Sequence, residues 1–579
     1  MVTTIEWFET HGTEAEKALI AACRVGGGHK ANGGKLPQVG NTDAAVTVRA
    51  DLIRLLAVQA TSLHEQGVWL EGAVITGQLN LSFAKCRGRL VLDSCRFAEK
   101  PRIAHVELAE LSLEGSHLPG LFAQGSVVRG SVFLRDVNAM GTVDLNAAQV
   151  GGQLSCTGAK LNGGKDEKGN RLKALNAQGA MVTGSVFLRG VTATGSLYVS
   201  GAQIGGQLDC EGATLNGDED ATGNPLRSLN AQGAVVTGDM FLTDVTAVGT
   251  VDVAGAQIGG QLACKGAMLN GGEGIALRAQ SLRVQGFFFR KVRAVTGWVD
   301  LGSARVGDLV DDAASWDLCG DRVILDGFIY DQIGGNSAPK TFATRKNWLA
   351  KGSRFDGEFY PQPYTQFAKV MRAAGHAGEA RKALIARDTI LFQEAEQEDR
   401  EALLAAYQYD VPTKADSGVI WLRLHSRRAW ASLSRRVIGY GHRPEYAFFW
   451  ALAAWGLGAV VYFLAYRCGL MVPNSDVIMV SQEWLNSVEA NRVAPTAVWM
   501  GDTVGASAHY ETFYSAIFAL DKFLPLVDLG QESAWAITTT TNTGIALRWA
   551  TFAYQIAGWV VTSLGIAAIT GFVQRNAPD

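Results

Sequence analysis

The stretch LNAQGAMVTGSVFLRGVTATGSLYVSGAQIGGQLDCEGATLNG, residues 175–217, decides the fold. It has sister copies from Leu121 (LFAQGSVVRGSVFLRDVNAMGTVDLNAAQVGGQLSCTGAKLNGG) and from Leu229 (LNAQGAVVTGDMFLTDVTAVGTVDVAGAQIGGQLACKGAMLNGG), so the period is 54 residues. Self-similarity at a fixed period of this size points to stacked repeats. Each copy divides further into 11-residue units such as SVFLRGVTATG, SLYVSGAQIGG and QLDCEGATLNG. Within SLYVSGAQIGG the alternation turns Leu197, Val199, Ala202 and Ile204 inward and Ser196, Tyr198, Ser200 and Gln203 outward. Glycines fall at the corners, where the backbone must turn.

Two units make one coil of about 22 residues, and four units plus a ten-residue excursion such as DEDATGNPLR fill the 54-residue period. The expected fold is mainly β: a parallel β-helix (β-solenoid) of about ten coils over residues 66–335, near 50 Å long at strand spacing. Cys156, Cys210 and Cys264 recur at the period on the inward parity. Two coils separate successive copies, about 9–10 Å, beyond disulfide reach, so they read as small core residues.

The remaining chain divides around this rod. Residues 1–65 read as a helical N-terminal cap, needed because a solenoid end exposes core and unpaired strand. Residues 336–415 read as a linker and a helical hairpin, with Pro361 and Pro363 before its first helix and Gly375 ending it. Residues 416–445 read as a basic interfacial helix. Here Arg423, Arg427, Arg428, Arg435, Arg436 and Arg443 interleave with Trp421 and Trp430, the pattern of a segment on an anionic lipid surface.

Residues 446–466 and 549–573 read as a C-terminal transmembrane helical hairpin, each long enough for roughly 30 Å of hydrocarbon. Gly558, Thr562 and Gly565 share one face of the second span and suit close helix packing. Arginines before the first span place that side in the cytoplasm. The intervening segment, 467–548, carries eight acidic residues and, between Arg467 and Arg548 at its two ends, only Arg492 and Lys522 as Lys or Arg, and is expected outside. Both termini and the solenoid are then cytoplasmic, at a cell (inner) membrane, and MVTTIEWFETHGTEAEKAL shows no cleavable secretory pattern.

Within 467–548, Phe513 to Lys522 is apolar enough for a half-membrane helix, or for an amphipathic segment lying on the surface. In the first case a homo-oligomeric pore follows, with Asp528 and Glu532 at its mouth. No TVGYG filter is present, and Thr538–Thr541 with Asn542, Thr543 and Gly544 is a weak substitute.

Residues 67–335 resemble pentapeptide-repeat-like right-handed β-helices. The wider layout is similar to bacterial membrane-anchored β-solenoid proteins often labelled membrane-associated oxidoreductases. The stretches YPQPYTQFAKVMRAAGHAGEARKALIARD and FYSAIFALDKFLPLVDLGQESAW carry that likeness. The resemblance implies redox activity. The residues themselves offer no Rossmann turn, redox cysteine pair, heme-attachment motif or iron–sulfur spacing. No catalytic, cofactor-binding or metal-binding residue is therefore assigned, and no cofactor is expected. A net charge of −3 over 579 residues does not favour nucleic acid. The expected function is a membrane-anchored scaffold or binding platform for an unknown protein partner. A solenoid-gated pore is one alternative, and an oxidoreductase is another.

Overall fold

The computed structural model describes the chain apart from residues 1–3, 59–63, 166–170, 218–225, 336–337, 410–421, 423–424, 427, 431, 438, 444, 503, 525–526 and 577–579. Two compact units divide it, residues 1–383 and 384–579.

The first unit is a parallel β-solenoid of about 12 turns with helices at its ends. A turn holds four short strands, two in each of two sheets: Val127–Val128 and Val132–Phe133 in one, Asn138–Ala139 and Val143–Asp144 in the other. Successive turns pair in parallel, so the backbone groups of each turn are met by the next. The register advances 22 residues in a plain turn, Val127 to Gln149. It advances 32 where a surface excursion is inserted, Gln149 to Met181. Each 54-residue repeat is therefore two turns, one plain and one carrying the excursion.

The turn count exceeds the expected ten because turns outside the three clean copies depart from the 22-residue cadence in both directions and carry too weak a repeat to be counted from sequence. One turn takes 20 residues, Glu107 to Val127. Two late ones take 26 and 24, Gln257 to Arg283 and Arg305 to Ile329. The cap segment also adds strands: His29–Lys30 pairs with Leu70–Glu71 and Thr47–Arg49 with Val74–Thr76.

Period-2 burial fills the core. Leu197, Val199, Ala202 and Ile204 are all buried, as the alternation requires. Ser196 departs from it. It is buried and donates its hydroxyl to the Arg227 carbonyl of the following turn, so a polar residue at a turn corner is satisfied internally. Cys156, Cys210 and Cys264 are fully buried, and burial pushes their thiols up to about 12.

At the N-terminal end, Thr13 and Glu16 form a capping box that starts the helix Glu14–Arg24. Glu16 also binds Arg49, which ties that helix to the first strand of the second sheet. The helix Ala50–Val58 buries Leu52, Ile53 and Leu56. At the other end lie the helices Phe342–Gly352 and Gln362–Ala373, the second with Pro363 in its first turn. Gln362 and Gln366 donate to the carbonyls of Phe328 and Tyr330, and so cover unpaired acceptors of the last turn. Gly352 lies against Leu325, where a Cβ would sit 2.2 Å from a methyl carbon.

The second unit is built on two helices long and apolar enough to cross a membrane, Glu445–Arg467 and Asn542–Ala567. The second opens at Asn542, seven residues before the expected Trp549. The Thr541 hydroxyl accepts from the Gly544 amide, so the threonine-rich stretch weighed as a filter is a helix start. The segment between the two helices is folded. Met471–Pro473 pairs antiparallel with Trp535–Ile537, and the rings of Trp499, Tyr510, Trp535 and Phe513 pack one on the next in that order.

A candidate site beside the half-length helix

The helix Ser515–Phe523 matches the expected half-length segment within two residues. It does not lie apart from the long helices. Phe518 meets Tyr462 edge-on with centroids 4.8 Å apart, and Trp455 donates its Nε1 to the Ala516 carbonyl at 2.8 Å. On the other side, Tyr554 Oη lies 3.3 Å from the carbonyls of Ala519 and of Ala454, one on the short helix and one on the first long helix. Two glycines permit this approach. A Cβ on Gly458 would sit 2.5 Å from Tyr554 Oη, and one on Gly558 would sit 2.1 Å from the Phe523 carbonyl oxygen. The short helix is thus held beside the central turns of both long ones.

The face expected to join the two spans is shared between partners. Gly558 meets the end of the short helix. Gly565 faces the first long helix, where an added Cβ would lie 3.4 Å from Ala447 Cβ. Thr562 is half-buried between them in sequence. Gly458 was not singled out from sequence, although a glycine amid large apolar residues in a span is the signal that points to it.

Below the short helix the chain returns over a charged cleft of about 860 Å³. Asp521 anchors the return. It is buried, and its two oxygens accept from the amides of Leu529 and Glu532 at 2.8 and 2.7 Å. Lys522 pairs with Glu532 at 2.6 Å. Asp528 accepts from the Gly530 amide and closes a tight turn. Of the two acids expected at a mouth, both line the cleft, with Glu532 neutralised by Lys522 and Asp528 exposed. Asp521 and Lys522 are the residues that sequence reading missed. Their signal is an acid and a base side by side inside an apolar helix, where each costs free energy unless paired. Thr551, Gln555 and Arg548 bring the second long helix to the same cleft. The cleft can therefore accept a small charged solute or water, with both signs of charge in reach.

The basic segment is a second feature of this unit. Trp421, Arg423 and Arg427 lie outside the described residues. Arg428 pairs with Glu396, and Arg443 donates to Tyr446 Oη while its guanidinium sits 5.0 Å over that ring. Arg435, Arg436 and Trp430 are exposed, and Trp450 donates to the Arg436 carbonyl at 3.1 Å. Arg428, Trp430, Arg435 and Arg436, with Phe392 and Tyr440, line a groove of about 940 Å³. His442 Nε2 and Asp388 Oδ2 lie 2.8 Å apart at its base. Burial opposes ionisation of Asp388, and the hydrogen bonds from His442 and Arg387 outweigh it, so its pKa falls below the usual value. No protein-family model matches the chain, and no curated protein matches its sequence.

Proposed function

We propose that the chain is a membrane-anchored β-solenoid whose rod serves as a non-enzymatic binding platform on the cytoplasmic face of a cell membrane. One observation carries this reading. A rigid ladder of regularly spaced outward side chains shares a chain with two long apolar helices that the rest of the protein leaves mostly uncovered. The exposed Arg435 and Arg436, with Trp430, precede the first of those helices and fit an anionic headgroup layer. Site-specific crosslinking from outward solenoid positions in native membranes tests the platform. A reproducible protein partner is expected, and crosslinks to lipid or to nothing would reject it.

The orientation has a natural reporter. Cys468 is exposed at the end of the first span, whereas the other seven cysteines are buried. A membrane-impermeant maleimide applied to intact cells is expected to label one site, and Cys468→Ser should abolish the label. Labelling only after permeabilisation reverses the topology.

A pore is the second reading, and the short helix held between the two long ones favours it. Purified protein in planar bilayers is then expected to pass current that changes with Asp528→Asn. Silence under all voltages and salts tested removes this reading and leaves the platform standing.

A further inference from the structure

The two ten-residue excursions return to the solenoid through equivalent residues, Leu172-Lys173 and Leu226-Arg227. Both returns press against a glycine of the next turn. A Cβ on Gly195 would sit 2.4 Å from the Leu172 carbonyl oxygen, and one on Gly249 would sit 2.1 Å from that of Leu226. Both glycines have φ of +105°, so no other residue fits without strain. The returns are therefore fixed in place, and between them runs an open groove of about 720 Å³.

The groove is cationic with an apolar floor. Leu172 and Leu226 are exposed large apolar residues, and Tyr198 lines the groove with them, with Lys173 Nζ 4.0 Å from its ring centre. Arg227 and Arg278 line the far part. Beneath them Asp252, fully buried, lies 3.1 Å from Arg227 Nε and 3.6 Å from Arg278 Nη1. Its Oδ2 accepts no hydrogen bond among the described residues, so the two arginines balance one buried charge between them and keep N–H groups for an outside acceptor. Among the described lining residues the charged side chains are all basic.

The spacing defines the shape of the occupant. Lys173 and Arg227 stand two turns apart, because Leu175 pairs with Leu197 and Leu197 with Leu229. At strand spacing that is about 9–10 Å. A polyproline-II segment repeats every three residues, about 9.3 Å, whereas side chains on one face of a β-strand repeat at about 6.7 Å.

We infer that this groove binds an extended acidic peptide segment of a partner protein, with a carboxylate at every third residue and an apolar side chain beside it. The inference rests on the platform reading, and names the chemistry of its partner. The test uses full-length protein in detergent and the fluorescent peptide Ac-(Glu-Leu-Pro)3, with Ac-(Gln-Leu-Pro)3 as the neutral analogue. Binding of the acidic peptide is expected, at least tenfold tighter than the analogue. It should weaken at least tenfold in Lys173→Gln/Arg227→Gln and persist in Lys173→Arg/Arg227→Lys, which keeps both charges. Equal binding of the two peptides overturns the inference, as does unchanged affinity in the charge-removed variant. Inorganic phosphate displacing the peptide at equal concentration also overturns it, since the site would then be a bare anion site. If the peptide fails while solenoid positions still crosslink to a partner in membranes, the groove falls and the platform survives. If both fail, both readings are rejected.

Discussion

Arg345→Met alone is expected to destabilise the C-terminal end of the solenoid by about 3–5 kcal/mol, the usual cost of stranding one member of a buried ion pair. Both partners are fully buried. Arg345 Nη1 and Nη2 donate to the two Asp311 oxygens at 2.5 and 2.7 Å, and Nε donates to the Pro339 carbonyl at 2.9 Å. The guanidinium lies 4.7 Å from the Trp348 ring centre, and Trp316 Nε1 donates to Asp311 at 2.6 Å. Without the arginine, Asp311 keeps one donor and an uncompensated charge. The double change Arg345→Met/Asp311→Leu removes that charge and should cost less than the single one.

The damage should also be local. A solenoid is stabilised turn by turn, so a weakened end frays before the middle opens. Cys319 is buried in this end, its amide donating to the Trp316 carbonyl, while Cys156 and Cys210 lie in the central turns. In Arg345→Met, a maleimide should reach Cys319 at least tenfold faster, with Cys156 and Cys210 still protected. Simultaneous labelling of all three would mean that the solenoid opens as one unit and that this pair is not an end clamp. Equal stability of the single and double variants would show that the stranded charge is not what matters.

The contrast between these residues and the repeat explains what was legible. The solenoid announces itself because the same inward and outward choice is made at the same position many times, as along Leu175, Leu197 and Leu229. Repetition converts a weak preference at each site into a strong pattern. Asp311 and Arg345 occur once, 34 residues apart, and nothing local relates them. Thr47–Arg49 is a strand only because Val74–Thr76 offers it an edge, and three residues have no period of their own. Of the cleft, the apolar helix and the two exposed acids were readable from composition. The buried Asp521 was not, because its partners are backbone amides 8 and 11 residues further on, in a turn that carries no periodic signal. The Arg227–Asp252–Arg278 cluster was hidden for a similar reason. Its members occupy three consecutive turns, and Asp252 and Arg278 fall on an outward position whose occupant varies from turn to turn, as in Asp144, Asn176, Tyr198 and Asn230.

Gly558→Ile is expected to release the helix Ser515–Phe523 from its place beside the long helices. A first added carbon already lies 2.1 Å from the Phe523 carbonyl oxygen and 3.0 Å from its carbon, so backbone must move. Overpacking alone costs about 1–3 kcal/mol. Displacement also acts on Asp521, two residues earlier, whose hydrogen bonds to the Leu529 and Glu532 amides hold the returning chain. Lys522 gives the readout. It is mostly buried and paired with Glu532, and only it and Arg492 offer trypsin a site between the two long helices. Cleavage after Lys522 should be slow in the native protein and at least tenfold faster in Gly558→Ile, while cleavage after Arg492 changes little. Gly565→Ala is the control on the same face. Its new carbon would lie 3.4 Å from Ala447 Cβ, an ordinary contact, and cleavage after Lys522 should stay slow. If Gly558→Ile leaves Lys522 protected, the short helix is not held by that glycine. If it exposes Lys522 and also abolishes any bilayer current, the position of this helix is what a pore requires. Exposure of Lys522 with an unchanged current would separate the helix from conduction and return the membrane unit to the role of an anchor.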